Sequence, residues 1–233
     1  MRSAKTIFVK QTKDVFRNPM VLVQFIIFPA VALIMTELVA KSNEDIPDNM
    51  FITMMAAIFA GMVLVMSTAG VIAEDKERKS LRFLVMAGVK PHEYLLGIGG
   101  FFLLAGSVVS VVFGLIGNFT GTEFMKFLAV MITGTAASVI LGAAIGILSK
   151  NQQAATGLGM PVAMILGFTP MIASFNETVE KVAGILYTQQ MNVIVNDFSV
   201  SLFEPLLVIA ANIVVLTVVF VFAYKKKGLK LIN

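Results

Sequence analysis

Long apolar segments are the feature that most limits how this chain can fold. A helix of about 20 mainly apolar residues crosses the roughly 30 Å hydrocarbon core of a bilayer and satisfies its own backbone hydrogen bonds there. Six segments of the 233-residue chain meet this requirement. We place them near residues 20–39, 50–73, 94–117, 124–149, 154–174 and 202–224. They do not alternate between polar and apolar residues as barrel strands do, so we expect an all-α integral membrane protein.

The composition agrees with a single membrane domain. The chain is 58% hydrophobic and only 14% charged, whereas about a quarter of the residues of a soluble domain are charged. We therefore treat residues 1–233 as one transmembrane domain with six spans.

Positive charges fall on one side of the predicted bundle. With both termini on the same side, 15 of the 18 Lys and Arg residues lie on that side, and three, Lys41, Lys126 and Lys181, lie on the other. Six acidic residues lie in the loops on the side opposite the termini: Glu44, Asp45, Asp48, Glu177, Glu180 and Asp197. Because positive loops stay in the cytoplasm, we expect both termini inside a cell (plasma) membrane, and we expect a bacterial source.

The segment before the first span is both basic and apolar. Ile7, Phe8 and Phe16 alternate with Lys10 and Lys13 at helical spacing, which is typical of a helix lying along the inner membrane surface. Asn18-Pro19 then ends this helix and turns the chain into the bilayer. Residues 1–18 are thus an interfacial helix, and either a simple basic anchor or a specific structural role fits them.

The connection between the second and third spans, residues 74–93, is the most charged internal segment. Glu74 with Arg78, and Asp75 with Lys79, stand four residues apart, so we expect the second span to continue as a helix beyond the membrane. The following residues predict a short amphipathic helix that ends before Gly88 and Pro91. Its apolar stripe is formed by Leu81, Leu84, Val85 and Met86, next to the basic residues Lys79 and Arg82. An ordinary interfacial loop and a partner-docking element both fit this segment.

The same segment resembles the signature of type-2 ATP-binding-cassette permeases, also called the ABC-2 type. That signature reads approximately E-R-x-G-T-L-E-x-L, then a turn, then L-L-G-K. Its counterparts here are Glu77, Arg78, Ser80, Leu81, Leu84, Gly88 to Pro91 and Glu93 to Gly97. Lys79-Ser80 stands where Gly-Thr is usual, Arg82 where Glu is usual and Ile98 where Lys commonly follows.

The resemblance extends to span number, span lengths and loop placement, and it implies a function. In the family this segment is the coupling helix, which sits in a cleft of a cytoplasmic ATPase. The resemblance implies that nine residues of this segment contact the ATPase: Glu77, Arg78, Lys79, Ser80, Leu81, Arg82, Leu84, Val85 and Gly88. It also implies two permease chains, with the dimer contact on the Gly- and Ala-rich faces of spans one and five, and two copies of an ATPase that bind ATP and Mg.

The segment between the fifth and sixth spans has a helical pattern of its own. Over residues 177–194 apolar residues recur among polar ones in the manner of short amphipathic helices. The family has a pair of half-inserted outer helices at this position, so we expect residues 175–200 to form them. An ordinary loop helix is the alternative.

Charged residues are missing from the middle of every predicted span. Since intramembrane charges usually mark proton or sodium coupling, this pattern disfavours an ion-driven carrier or channel. Adaptable methionines and two polar residues are candidates to line a pathway for hydrophobic or amphipathic cargo, with packing as the alternative role. These candidates are Met54, Met55, Met62, Met66, Gln24 and Asn212.

The chain offers little for enzyme chemistry. It has no cysteine and one histidine, His92, so neither a thiolate nor a His-based metal site can be assembled. No G-x-x-x-x-G-K-[ST] sequence is present, so we expect no ATP site and no bound cofactor in this chain. Our leading interpretation is the transmembrane subunit of an ATP-driven exporter of peptides, drugs or lipid-linked molecules. The alternative is a non-transporting, membrane-embedded accessory or immunity-type protein that binds lipid or peptide.

Overall fold

The structure is a computed structural model that describes the backbone of residues 2–43, 46–47 and 49–232. The side chains of Arg2, Met20 and residues 227–232 lie outside this description, as do the whole of Glu44, Asp45 and Asp48, three of the acidic residues assigned above to the loops opposite the termini. The described chain is mainly helical. Its α-helices are α1 (Arg2–Arg17), α2 (Pro19–Met35), α3 (Met50–Ile58), α4 (Val65–Glu77), α5 (Ser80–Met86), α6 (Pro91–Ile116), α7 (Gly121–Leu148), α8 (Gln152–Ala173), α9 (Glu177–Ala183), α10 (Tyr187–Asn196) and α11 (Phe203–Ile232).

The six predicted spans are confirmed as helices. Over the described residues, six helical stretches are long and apolar enough to cross a membrane. They are Val21–Ala40, Met50–Glu77, Pro91–Ile116, Gly121–Leu148, Gln152–Ala173 and Phe203–Lys226. The break at Asn18 is also confirmed, because α1 ends at Arg17 and Pro19 opens α2, where its missing N–H costs nothing.

The second and fourth spans form the centre of the bundle. Over the 18 most apolar residues of each span, 67% of the second span and 56% of the fourth are buried. The corresponding values for the first, fifth and sixth spans are 22%, 33% and 17%. Glycines on α7 make this contact possible, since a Cβ on Gly146 would lie 2.8 Å from the carbonyl oxygen of Ala69 on α4. Gly142 abuts the carbonyl of Val65 in the same way. These two glycines, four residues apart, thus let α4 and α7 approach closely.

Two spans contain π-helical turns that periodicity alone does not reveal. Thr36–Ala40 extends α2, and Phe59–Leu64 joins α3 to α4 so that Met50–Glu77 is one continuous rod. Within the second turn, a Cβ on Gly61 would lie 2.8 Å from the backbone of Leu166 and Gly167 on α8. The π turn thus lies where the second and fifth spans cross with their backbones in near contact.

The two ends of the bundle carry different elements. One end of the bundle, here called the termini end, holds α1, α5 and the last turns of α11. Helix α1 packs along α6 there, with Ile7 directly over Gly97. The α10 end holds α9 and α10. Helix α10 is inserted among α3, α7, α8 and α11, and its buried Tyr187 hydroxyl lies 2.8 Å from Ser138 Oγ on α7. Two short helices therefore do occur at the predicted position, and only the second is deeply buried.

Candidate functional site

The connection at the termini end consists of the last turn of α4, the short helix α5 and the turn that leads into α6. Lys79, which follows α4, has φ of 60°, and Gly88, which follows α5, has φ of 78°. These left-handed conformations mark the two turns that flank α5. Gly88 accommodates this φ without strain, whereas a lysine does so at a cost. Lys79 is the position where the family pattern has glycine.

The second span continues as a helix to Glu77, as the two i,i+4 spacings predict, but only one of the two spacings forms an ion pair. Arg78 lies 2.7 Å from Glu74. Asp75 does not pair with Lys79, because α4 ends at Glu77 and the left-handed backbone of Lys79 carries its side chain off the helix. Asp75 instead accepts from Lys10 Nζ of α1 at 2.8 Å and from the Tyr94 hydroxyl of α6 at 3.1 Å.

The Lys10–Asp75 pair joins the N-terminal helix to the last turn of the second span. Its aspartate side chain is 7% exposed and its lysine side chain is 50% exposed. Partial burial alone would lower the pKa of Lys10, but the hydrogen bond and the charge of Asp75 outweigh it and raise that pKa. Lys10 is therefore cationic at neutral pH.

The same turn of α4 also binds the connection between α7 and α8. Lys76 donates to the carbonyl oxygen of Ile147 at 2.6 Å and to that of Ser149, at the C-terminal end of α7, where a cation is favoured. Gln152 Nε2 donates to Glu74 Oε2 at 3.1 Å. Residues 74–78 therefore link α1, α6, α7 and α8.

Helix α5 presents apolar side chains on two faces. Leu81 is buried, and Leu84 and Val85 are half-buried against the core of the bundle. On the other face Phe83 is 67% exposed and Met86 is 63% exposed. Both faces of this short helix therefore carry apolar side chains, and the spans do not cover the outer one.

The nine predicted coupling residues thus divide into three groups. Leu81, Leu84 and Val85 face the spans, and Ser80 is half-buried. Glu77 accepts from the backbone N–H of Gln152 at 3.3 Å. Arg78, Lys79, Arg82 and Gly88 are exposed. Phe83 and Met86 are exposed on the other face; the predicted stripe did not include Phe83, and it grouped Met86 with Leu81, Leu84 and Val85. The signal was present, because the run S-L-R-F-L-V-M is apolar around most of its circumference.

The candidate cargo residues do not form one pathway. Gln24, Met62 and Met66 line a groove of about 460 Å³ between α2, the second span and α8, and Ser67 Oγ donates to Gln24 Oε1 across it at 3.1 Å. Met54 lines a separate cavity at the α10 end. Met55 packs against the core. The Asn212 amide donates to the carbonyl oxygens of Ile185 and Val208, both at 2.9 Å.

No group of three or more His, Cys, Asp or Glu side chains that could hold a metal ion occurs within the described part of the chain.

The fold and these connections define a class, namely a multi-pass membrane protein whose spans are joined at one end by an exposed helical connection. A family model described as "ABC-2 family transporter protein" matches residues 11–224. The chain belongs to this family, which makes it a transmembrane component of an ATP-binding-cassette transporter and a partner of an ATP-binding-cassette ATPase. No curated protein matches the chain significantly.

Proposed function

We propose that this chain is the permease of an exporter and that α5 is the element through which the ATPase drives it. In this proposal the termini end lies in the cytoplasm of a bacterial cell, in agreement with the positive-inside distribution of Lys and Arg. The ATPase holds ATP and Mg, and this chain contributes the membrane path. Hydrophobic or amphipathic cargo then leaves toward the α10 end.

The observation that carries the proposal is the exposed apolar face of α5. A helix that is apolar on both faces is normally buried on both. The inner face, with Leu81, is covered by the spans, and the outer face, with Phe83 and Met86, is left for a partner. The exposed Arg82 on the same helix adds a cation that an acidic cleft rim would complement.

The contacts of residues 74–78 provide the route of transmission. If the ATPase shifts α5, the movement reaches α7 through Lys76, α8 through Glu74 and α1 through Asp75. The groove between α2 and α8 borders the same segment, because Glu74 and Gln152 line its end. A movement of α5 can therefore open the groove at the same time.

The test of this proposal is cysteine cross-linking in a co-expressed complex. Because the chain has no cysteine, Phe83→Cys provides a single thiol on the outer face of α5. We expect it to cross-link to a co-expressed ATPase, and we expect cargo to stimulate ATP hydrolysis by the uncross-linked complex. Absence of the cross-link, together with unchanged function after charge reversal at Arg78, Lys79 and Arg82, would favour the non-transporting alternative.

The groove is also where we place the contact between two permease chains. The faces of α2 and α8 beside it are poorly covered, and a Cβ on Gly157 of α8 would meet nothing within 4 Å in its own chain. A second copy placed against α2 and α8 would close the groove into a path lined by Gln24, Met62 and Met66 of each copy.

A thiol-specific cross-linker tests this arrangement. In native membranes, Gly157→Cys is expected to yield a covalent permease dimer with a short bismaleimide. Val218→Cys, on the exposed face of α11, is the matched control and should stay monomeric on gels. Equal cross-linking at the two positions would contradict a dimer contact on the first and fifth spans.

A further inference from the structure

A cavity of about 450 Å³ lies at the termini end, between α1, the start of α2 and the end of the second span. It adjoins the groove between α2 and α8, because the two share four lining residues, namely Asn18, Val21, Val71 and Glu74. Val21 and Val71 belong to the first and second membrane-spanning helices. The cavity therefore lies at the end of these spans and leads into a groove between them.

Gln11 of α1 is the buried polar residue of this cavity. The residue is only 3% exposed and lines the cavity, and its side chain makes no hydrogen bond within the described part of the chain. Its amide is not sealed inside the fold, since the sealed polar atoms without a partner belong, among the described residues, to Thr36, Thr68, Thr188 and Gln189. The amide of so buried a side chain can reach only the contents of the cavity. Because a buried polar group is normally paired, Gln11 indicates a hydrogen-bonding group of a ligand there.

The charges of the cavity select an anionic group. Its carboxylates are already paired with cations of the same lining, as Lys10–Asp75 at 2.8 Å, Lys10–Asp14 at 3.7 Å and Arg78–Glu74 at 2.7 Å. Arg17 is the remaining cation of the lining, and it forms no ion pair among the described residues. An arginine can bind a phosphate through two parallel hydrogen bonds. The unused groups are therefore a guanidinium and an amide, which fit a phosphate better than an ammonium group.

The adjoining groove, of about 460 Å³, fits an acyl chain. Phe28, Met62, Met66 and Met160 line it, and methionine side chains adapt to apolar groups of different shapes. Gly70 leaves space in its wall, since a Cβ there would meet nothing within 4 Å. A molecule with its phosphate in the cavity can therefore extend a hydrocarbon chain along the spans.

We propose that the cavity and the groove together bind a phospholipid, with its phosphate held by Arg17 and Gln11 and an acyl chain in the groove. Both residues lie on the face of α1 that lines the cavity, so the bound lipid joins α1 to the first two spans. The proposal concerns binding alone and requires neither the ATPase nor transport. Its failure would therefore leave the proposals on coupling and on the cargo path standing.

Native mass spectrometry of the full-length chain in a non-ionic detergent counts bound lipids directly. Three probes separate the phosphate from the acyl chains: dioctanoylphosphatidylglycerol has both, dioctanoylglycerol has only the chains, and inorganic phosphate has only the anion. We expect the phospholipid to bind saturably, one molecule per chain, and to raise the melting temperature. Dioctanoylglycerol should bind about tenfold more weakly, and inorganic phosphate should neither bind nor stabilise at the same concentrations.

Two variants test the phosphate contacts. Arg17→Gln should weaken phospholipid binding about tenfold. Gln11→Leu should weaken it to a similar degree and leave the melting temperature without lipid unchanged or higher, because the change removes no hydrogen bond within the protein. Lys13→Gln is the matched control, since Lys13 is an exposed cation of the same helix that does not line the cavity, and it should bind the phospholipid normally.

Gly70→Leu tests the groove, because the new side chain occupies the space of the acyl chain while leucine favours the helix. It should weaken binding of the phospholipid without lowering the melting temperature of the chain alone. Equal binding of dioctanoylglycerol and the phospholipid would show that the phosphate is not recognised, and equal binding of inorganic phosphate would identify a free anion as the ligand. Either result, unchanged binding by Gln11→Leu, or equal effects of Arg17→Gln and Lys13→Gln would overturn the proposal.

Discussion

Phe83→Asp is expected to abolish binding of the ATPase while the permease remains folded and membrane-inserted. Phe83 is 67% exposed and forms the outer face of α5 with Met86, so the change removes little packing from the bundle itself. In the complex, the same position would place an unpaired carboxylate in a desolvated contact. Loss of a central aromatic anchor alone typically costs about 2–4 kcal/mol, which corresponds to roughly 30- to 1000-fold weaker binding.

The measurement is the affinity of the solubilised permease for its ATPase, together with the melting temperature of the permease alone. Val182→Asp is the matched control, because Val182 is 71% exposed on α9 at the opposite end of the bundle. Leu81→Asp is the converse control. Leu81 is 2% exposed, so its replacement should lower the melting temperature of the permease itself. If Phe83→Asp binds the ATPase as tightly as the unmodified chain, α5 is not the docking element.

The spans could be predicted from sequence because hydrocarbon imposes one requirement on all of them. Any segment there must be long, apolar and helical, and each of the six predicted spans overlaps an observed helix. The π turn at Phe59–Leu64 was not predictable in the same way. Its backbone depends on the crossing with Leu166 and Gly167, which lie about a hundred residues further along the chain.

The short helix between the second and third spans was predictable in position but less so in the direction of its side chains. Residues 80–86 form the expected helix, but a seven-residue helix with apolar residues on both faces gives no period from which to choose an inner face. The i,i+4 spacing rule also did not identify the partner of Asp75. The spacing pointed to Lys79, whereas the fold places Lys10, 65 residues away, at 2.8 Å.

Lys10→Met is expected to destabilise the permease more than Asp75→Asn, although each removes one partner of the same ion pair. Removing Lys10 leaves the carboxylate of Asp75, 7% exposed, without its counter-charge, and such a loss typically costs about 3 kcal/mol or more. In Asp75→Asn the remaining Lys10 is half-exposed and can be hydrated, while the oxygen of the new side-chain amide can still accept from the Tyr94 hydroxyl. We expect a cost of about 1 kcal/mol for that change.

Thermal unfolding of the solubilised chain distinguishes these outcomes. A loss of about 3 kcal/mol in a chain of this size lowers the melting temperature by roughly 6–12 °C. Asp14→Asn is the matched control, because Asp14 is 53% exposed and 3.7 Å from Lys10, and its loss should be nearly neutral. Equal melting temperatures for Lys10→Met and Asp14→Asn would contradict a structural role for the buried pair.

The double variant Lys10→Met/Asp75→Asn should be more stable than Lys10→Met alone, because it removes the orphaned charge as well as the pair. A non-additive difference of this sign is specific to direct coupling between the two side chains. Its pH dependence has a definite sign. Because the pKa of Lys10 is raised in the fold, the charge of Lys10 contributes stability that is present below the ordinary lysine pKa and is lost as the pH rises through the folded-state value. The stability gap between the unmodified chain and the double variant should therefore stay constant around neutral pH and narrow in strong alkali.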